Sequence, residues 1–325
     1  MLPFMENVTR GRGIGAERLA EVSAHYERLG GVSPINAQNR ALIEALRPLV
    51  DLPIFWGNRN WKPFLIDAVS EMADAGVTHC LAFITSAFSS YSGCRQYLDE
   101  LAAARATIGD RAPTIERLPP FFTDPGFIEP LRDNLGAARR NAPTGSRIVF
   151  TAHSIPLAMA SASRYESELR TACALVAGDE PWDLVFQSRS GPPTVPWLEP
   201  DINDHLRDLH TQATKGVVVV PIGFVSDHIE VMWDLDTQAR ETADTLGLSF
   251  ARAATVGTDP RFVAMIAAKV RDSVSGARPS YACAADCCPA PPSSGRLAVS
   301  SPPSGARPVS GGEEEPATGR PTRPE

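Results

Sequence analysis

Apolar residues follow two alternating patterns along this chain. Short apolar runs predict strands, and longer stretches in which apolar residues recur every three or four positions predict helices. Residues 217–220 are four consecutive valines, which is typical of a strand buried on both faces. Strands that alternate with helices indicate an α/β fold with parallel sheets and helical crossovers. The predicted strands are 53–56, 80–85, 115–118, 147–151, 184–187, 217–222 and 248–252, and the predicted helices are 62–75, 95–108, 126–140, 164–176, 229–246 and 261–274.

The alternating pattern is divided once and stops well before the carboxyl terminus. An Ala-Pro-Thr-Gly sequence at 142–145 interrupts it, because Pro and Gly favour turns. We therefore expect one α/β half over residues 1–142 and a second over residues 143–275. Residues 276–325 are rich in Pro, Ser and Gly and bury too little apolar surface to fold alone, so we expect a flexible tail.

Composition excludes several classes of function. Hydrophobic residues make up 43% of the 325 residues, and the formal net charge is −7. An acidic chain has no general affinity for nucleic acid or anionic membranes, which attract basic surfaces. No apolar run reaches the roughly 18 residues of a membrane-spanning helix, and the first residues lack a signal-peptide layout. We expect a cytoplasmic protein without an integral membrane segment.

A histidine follows the strand predicted at 147–151. His153 lies in the sequence TAHS, at the carboxyl end of that strand. Open parallel sheets place their active sites at this end. A histidine there can accept a proton near neutral pH. A loop histidine held by a hydrogen bond is the alternative interpretation.

Acidic residues and a second histidine are concentrated after the four-valine strand. The segment PIGFVSDHIEVMWDLD contains Asp227, His228, Glu230 and Asp234. If a helix begins near His228, Glu230 and Asp234 lie on one face, and their like charges require a cation or a proton. Carboxylates with one imidazole suit a transient divalent site such as Fe(II). Ordinary capping of a helix explains Asp227 and Glu230 as well, but not His228 and Asp234.

Two further segments have both a structural and a functional interpretation. ENVTRGRG carries Arg10 and Arg12, which can form bidentate pairs with carboxylates, and LGGVSPIN carries Ser33 in a turn before a helix. A helix that simply begins at a proline is the alternative for the second segment. QSRSGPPTVPWLEP, with Arg189, predicts a rigid loop at a sheet edge, either a turn or the lip of a site.

Taken together, these segments resemble the ferrochelatase family. LGGVSPIN, TAHSIP, QSRSGPPTVPWLEP and PIGFVSDHIEVMWDLD follow the family's order and spacing, and the resemblance extends over about residues 3–275. ENVTRGRG and GNRNW resemble the actinobacterial branch, which implies coproporphyrin III rather than protoporphyrin IX as substrate. The resemblance implies two Rossmann-like halves with a substrate cleft between them, and insertion of ferrous iron into the porphyrin in heme biosynthesis.

The resemblance also implies roles for individual residues. His153 matches the family's catalytic histidine, and Glu230 matches the acidic residue that we expect to face it across the macrocycle, both in contact with the Fe2+ substrate. Asp227, His228 and Asp234 match supporting positions. The residues that match substrate-binding positions, where porphyrin carboxylates are held, are Arg10, Arg12, Ser33 and Asn36.

The chain contains six cysteines. Cys80 and Cys173 have apolar neighbours, so we expect both in the core. Some ferrochelatases hold a [2Fe–2S] cluster with one internal and three carboxyl-terminal cysteines, and a [2Fe–2S] cluster takes four thiolate ligands. The resemblance implies such a cluster, with a structural or sensing role. A zinc site with four cysteine ligands and a free reactive tail are the alternatives. The implied cluster ligands are Cys94, Cys283, Cys287 and Cys288, one of the adjacent pair being a candidate spare.

In one respect the sequence departs from the family. Ferrochelatases open with a β-strand ahead of the segment that matches ENVTRGRG, and this sequence lacks it. A parallel sheet without an inner strand exposes apolar edges, so either the start codon is placed too late or the sequence is a fragment. We expect a misplaced start.

The alternative functions are a porphyrin carrier or cluster-based sensor without catalysis, and a related chelatase that inserts cobalt into a sirohydrochlorin-type ring. The resemblance further implies a coproheme decarboxylase as the next enzyme, with transient contact between the two. We expect a monomer by default.

Overall fold

The computed structural model describes residues 27–28, 30–190, 193–277, 284 and 286–290. Arg10, Arg12 and Cys283 lie outside these residues, so the predictions made for them remain predictions. Within the described part of the chain, no helix combines the length and the apolar character that crossing a membrane requires.

The described residues form six strands in two parallel sheets. The first sheet pairs β1 with β2. The second has the order β4-β3-β5-β6, again with every pair parallel. This confirms the predicted α/β class. The strands are β1 (His79–Ala82), β2 (Thr114–Arg117), β3 (Arg147–His153), β4 (Trp182–Gln187), β5 (Gly216–Val220) and β6 (Ser249–Arg252).

Helices connect the strands, and several begin at an aspartate. Asp124, Asp201 and Asp259 each accept a hydrogen bond from the backbone N–H two residues ahead, which satisfies one of the unpaired donors at a helix start. The described α-helices are α1 (Ile35–Leu46), α2 (Leu65–Asp74), α3 (Gln96–Ile108), α4 (Pro125–Arg139), α5 (Leu157–Ser161), α6 (Tyr165–Ala177), α7 (Ile202–Thr211), α8 (Ile229–Trp233), α9 (Arg240–Thr245) and α10 (Pro260–Val274).

Shorter helical turns lie between these helices. π-helical turns occupy Tyr91–Arg95, before α3, and Asp234–Ala239, between α8 and α9. The helix predicted at 229–246 is therefore interrupted by a π turn. The 3-10 turns are Arg47–Leu49 and Gly109–Arg111.

The strand predicted at 53–56 is absent from the described structure. These residues make no ladder pairing, and nearby only Asn58 and Phe64 form an isolated bridge. An apolar run becomes a strand only where a neighbouring strand takes up its backbone donors and acceptors. Among the described strands, β1 pairs with β2 alone, so none is available beside 53–56.

The core lies on both faces of the four-stranded sheet. Residues 217–220 are fully buried, as the run of valines predicted. Val218 and Val220 pack in one cluster with Leu131 of α4 and Phe262 of α10. Val217 and Val219 pack in another with residues of α7, α8 and the following π turn.

The first cluster is continuous across the break at 142–145. It joins Phe88 and Phe121, from the amino-terminal side of the break, to Ile148 and Phe262, from the carboxyl-terminal side.

Candidate active site

His153 is the last residue of β3, and its ring is fixed by the backbone. The Nδ1 atom lies 2.5 Å from the carbonyl oxygen of Ser154. A carbonyl oxygen only accepts, so Nδ1 carries the proton and donates it. The lone pair of the neutral ring is then on Nε2, the atom that can accept a further proton. The Tyr165 hydroxyl donates to the His153 carbonyl oxygen at 2.9 Å and holds the strand end in place.

Glu230 lies directly beside this histidine. After β5 the chain turns, and His228 becomes the N-cap of α8, its Nδ1 accepting from the Glu230 backbone N–H at 3.2 Å. The cap is therefore His228, not Asp227 as the alternative interpretation had it. One Glu230 carboxylate oxygen lies 3.9 Å from His153 Nε2, and the other lies 3.9 Å from His228 Nδ1.

The expected placement of Glu230 across the macrocycle from His153 stays a prediction, and it requires a wider separation of the two side chains than this structure shows. Non-bonded atoms need about 3.5 Å on each face of a flat ring, so groups that flank a porphyrin stand about 7 Å apart. The observed separation is 3.9 Å. A ring bound between the two side chains would therefore require them to move apart.

Asp234, the first residue of the π turn, belongs to the same group of side chains. Burial raises its pKa to about 7, against a hydrogen bond from the Ser188 hydroxyl that lowers it, and the charge of Glu230 raises it further. His153 also interacts with it electrostatically. At neutral pH this carboxyl is therefore close to half protonated, which removes much of the repulsion that Glu230 and Asp234 would otherwise exert on each other.

His228 is held as a neutral acceptor. Burial lowers its pKa, and the neighbouring carboxylate of Glu230 only partly offsets this. Its ring meets Phe224 edge to face, with 5.0 Å between centroids. A neutral His228 agrees with Nδ1 accepting from a backbone N–H, because a protonated imidazole offers no acceptor.

Asp227, expected at a supporting position, is engaged by an arginine. Arg252 Nη1 lies 3.0 Å from its carboxylate. The Asp227 carbonyl oxygen accepts from Gln38 Nε2 of α1 at 2.8 Å. The carboxylate is thus already paired with a cation. The backbone contact with Gln38 joins α1 to residues 227–236, called the acidic segment below.

Several residues that shape this site were not predicted from the sequence. Ser188 has φ +61°, a left-handed conformation that is rare outside glycine, and its hydroxyl donates to Asp234. Gln187 is buried and donates to the Glu230 carbonyl oxygen at 3.3 Å. The segment QSRSGPP was singled out for Arg189, whose guanidinium instead binds Pro193 and Val195 carbonyl oxygens of its own loop at 3.2 Å.

The residues expected to hold substrate carboxylates are only partly described. Ser33 Oγ accepts from the Ile35 backbone N–H at 3.4 Å, at the start of α1. Asn36 donates to the Lys62 carbonyl oxygen and accepts from Asn58, both at 3.3 Å. The Asn36 side chain therefore ties α1 to the segment GNRNW, and a substrate carboxylate would have to share or replace these bonds.

The tail returns to the body of the protein at Cys94. Cys94 and Cys288 are both buried, and the pKa of the Cys288 thiol is raised to about 11 by burial and by the neighbouring Cys94. Arg117 Nη1 donates to Cys94 Sγ at 2.9 Å, and Arg95 Nη2 donates to the Cys287 carbonyl oxygen at 3.3 Å.

The described cysteines do not by themselves form a metal site. Cys287 is disulfide-bonded in this structure. Within the described ranges, no group of three or more potential metal-ligating side chains is found. Cys173 is fully buried, as expected, whereas Cys80 is only partly buried.

Comparison with known proteins gives consistent matches. The ferrochelatase family profile matches residues 2–274. Coproporphyrin III ferrochelatase from Nocardia farcinica is 48% identical over 313 residues, which cover 88% of this chain and 89% of that protein. The protein of the same name from Mycobacterium ulcerans is 49% identical over 284 residues, covering 86% and 84%.

Solved structures show the same architecture at low sequence identity. SirB from Bacillus subtilis with Fe3+ superposes with a TM-score of 0.56 at 11% identity, covering 75% of this chain and 92% of that one. CbiX, the terminal enzyme for biosynthesis of siroheme in denitrifying bacteria, gives a TM-score of 0.51 at 22% identity, covering 74% and 93%. These similarities support the fold.

Proposed function

Because the chain belongs to the ferrochelatase family, we propose that it inserts ferrous iron into coproporphyrin III to form coproheme in heme biosynthesis. The observation that carries this proposal is the pairing of His153 Nε2 with the Glu230 carboxylate at 3.9 Å, at the carboxyl edge of a parallel sheet. The substrate is inferred from the relatives, whose names specify coproporphyrin III.

Metal insertion requires that the porphyrin lose two pyrrole protons and that Fe(II) lose water. His153 Nε2 accepts a pyrrole proton, since Nδ1 is occupied by the Ser154 carbonyl oxygen. Glu230 guides the metal toward the ring or accepts the second proton. Asp234, with a pKa of about 7, can give and take a proton at neutral pH.

The substrate carboxylates are assigned to the amino-terminal part of the chain. We infer that Arg10, Arg12, Ser33 and Asn36 bind them, because guanidinium groups pair with carboxylates in bidentate fashion. The bond from Gln38 to Asp227 supports this, since it puts α1 against the acidic segment. We likewise infer that residues 1–142 and 143–275 form the two halves of the substrate cleft.

We infer that the tail cysteines bind a [2Fe–2S] cluster together with Cys94. The buried neighbours Cys94 and Cys288, with Arg117 donating to Cys94 Sγ, suit an anionic thiolate cluster. Cys287 must be reduced to serve as a ligand. The full set would be Cys94, Cys283, Cys287 and Cys288. The bound cluster would join the tail to the body of the protein.

Cluster assembly is tested on protein purified without air. We expect about two irons and two sulfides per chain, roughly the content of one [2Fe–2S] cluster, with visible absorbance that Cys94→Ser abolishes. Cys173→Ser, at a buried cysteine distant in sequence from the tail, should keep the cluster. Colourless, iron-free wild-type protein would refute the cluster, and zinc in its place would favour the alternative of a zinc site with four cysteine ligands.

The catalytic proposal is tested by anaerobic turnover with Fe(II), comparing coproporphyrin III and protoporphyrin IX. We expect rapid metallation of coproporphyrin III, and a loss of about 100-fold or more in His153→Ala because a general base is removed. His210→Ala, an exposed histidine at the end of α7, is the matched control and should keep wild-type rates. Near-normal turnover by His153→Ala would refute the role of His153 as the base that accepts a pyrrole proton. Porphyrin binding without insertion by the wild type would favour the carrier alternative. A cytoplasmic location and a monomeric state stay predictions.

A further inference from the structure

Arg252 binds two carboxylates on either side of the acidic segment. Its Nε and Nη2 atoms donate to the two oxygens of Asp236 at 2.6 and 2.9 Å. Its Nη1 atom donates to Asp227 at 3.0 Å. Between these aspartates in sequence lie His228, Glu230 and Asp234, of which Glu230 and Asp234 are proposed to act in metal insertion.

We propose that Arg252 is a positioning residue for metal insertion: it fixes both ends of segment 227–236 and thereby sets Glu230 against His153. This rests on the proposed function, because it concerns the same side chains. Among the described hydrogen bonds and ion pairs, Arg252 contacts neither His153 nor Glu230, so it acts through the backbone that it anchors.

The segment needs such an anchor because its own structure is weak. Helix α8 has only five residues and passes directly into a π turn, and both are too short to be stable alone. Glu230 and Asp234 are two acidic residues of one site, four positions apart, so repulsion between their charges tends to separate them. The Arg252 guanidinium lies outside the group of His153, Glu230 and Asp234. It can therefore hold segment 227–236 in place without occupying the carboxylate that would bind the metal.

Arg252 is itself rigidly held. It is the last residue of β6, in register with Val219 of the fully buried strand β5. Its side chain is 15% exposed, so its charge depends on the two aspartates for compensation. The planar guanidinium meets Asp236 in a bidentate pair, which fixes direction as well as distance and which lysine cannot reproduce.

The first measurement is backbone amide hydrogen exchange on the full chain, which does not depend on activity. Arg252→Gln should raise exchange by about tenfold or more in residues 228–239 relative to the core strands. Arg240→Gln is the matched control, since Arg240 packs on Phe250 of the same strand and has no aspartate partner among the described ion pairs. Unchanged exchange in 228–239 would overturn the proposal even if the wild type inserted no iron.

The second measurement separates positioning from a general loss of structure. In Arg252→Gln we expect kcat to fall and KM for Fe(II) to rise, so that kcat/KM for Fe(II) decreases about tenfold. The affinity for porphyrin should stay within about twofold of the wild-type value. Arg252→Lys should recover part of the loss. If Arg252→Gln does not fold, Asp236→Asn removes the bidentate partner and should give the same split. Normal Fe(II) kinetics in folded Arg252→Gln or Asp236→Asn, with an active wild type, would overturn the positioning role and leave the proposed function intact.

Discussion

Replacing Asp234 by asparagine should stabilise the protein while damaging the proposed site. The fold raises the pKa of this carboxyl from 3.8 to about 7, so the native state favours the protonated form. At 1.36 kcal/mol per pKa unit this corresponds to about 4 kcal/mol as an upper bound, and partial contact with solvent reduces it to about 2 kcal/mol. Asparagine keeps an acceptor for the Ser188 hydroxyl and carries no charge at any pH.

The sign of the pH dependence follows from proton binding. Between pH 3.8 and about 7 the native state holds a proton that the unfolded state has lost, so wild-type stability falls as pH rises through this window. In Asp234→Asn the free energy of unfolding should not decrease in this way, because asparagine does not titrate. Its advantage in the free energy of unfolding should therefore be near zero at pH 4 and about 2 kcal/mol at pH 8, where the wild-type carboxyl is ionised in both states.

Urea titrations of metal-free wild type and Asp234→Asn at pH 4, 6 and 8 measure this difference directly. Asp208→Asn, at an exposed position on α7, controls for the loss of one surface charge and should show no such growth with pH. A constant difference between pH 4 and 8, or a variant less stable than wild type at pH 8, would refute the reasoning. Fe(II) insertion by the same variant should fall, since the site loses a proton-exchanging group.

Two further substitutions test side-chain interactions that hold the ends of strands β3 and β4 in place. Asp183→Asn should destabilise the protein by about 2 kcal/mol in urea titrations at pH 7, because Asp183 accepts two bonds from Arg147 at 2.7 Å and one from His205 at 3.1 Å; an unchanged midpoint would contradict this. Tyr165→Phe should cost about 1 kcal/mol by leaving the His153 carbonyl oxygen without its donor, and should lower kcat more than it changes KM for porphyrin. A pure stability loss with normal kcat would mean that Tyr165 does not position His153.

Much of the fold could be predicted from the sequence, because buried strands and helices have recognisable patterns of apolar residues. The valines at 217–220 predicted a strand buried on both faces, and each is fully buried. The segment 53–56 has a similar apolar run, yet it forms no strand among the described residues, because pairing depends on a neighbour that periodicity cannot report. The π turn at Asp234–Ala239 was equally invisible, since its residues continue a helical pattern.

The site was predictable only where its residues are close in sequence. Spacing alone grouped His228, Glu230 and Asp234. The place of His153 at the end of a predicted strand singled it out separately, and the family resemblance was needed to pair it with Glu230. None of these could give the 3.9 Å contact between His153 and Glu230, which depends on how β3 and β5 stand side by side. Arg252 was missed for the same reason: a charged residue at the end of a strand acquires its partners only when β6 pairs with β5.

The continuous core limits how a bound ring can be accommodated. A hinge between the two sides of the break at 142–145 would have to pull Phe88 and Phe121 away from Phe262, where Phe121 and Phe262 stack edge to face at 5.5 Å between centroids. Exposing one such side chain costs about 2 kcal/mol, so a hinge that exposes several is disfavoured. Entry and release of substrate should therefore leave these aromatic contacts in place and proceed without separating the two sides of the break.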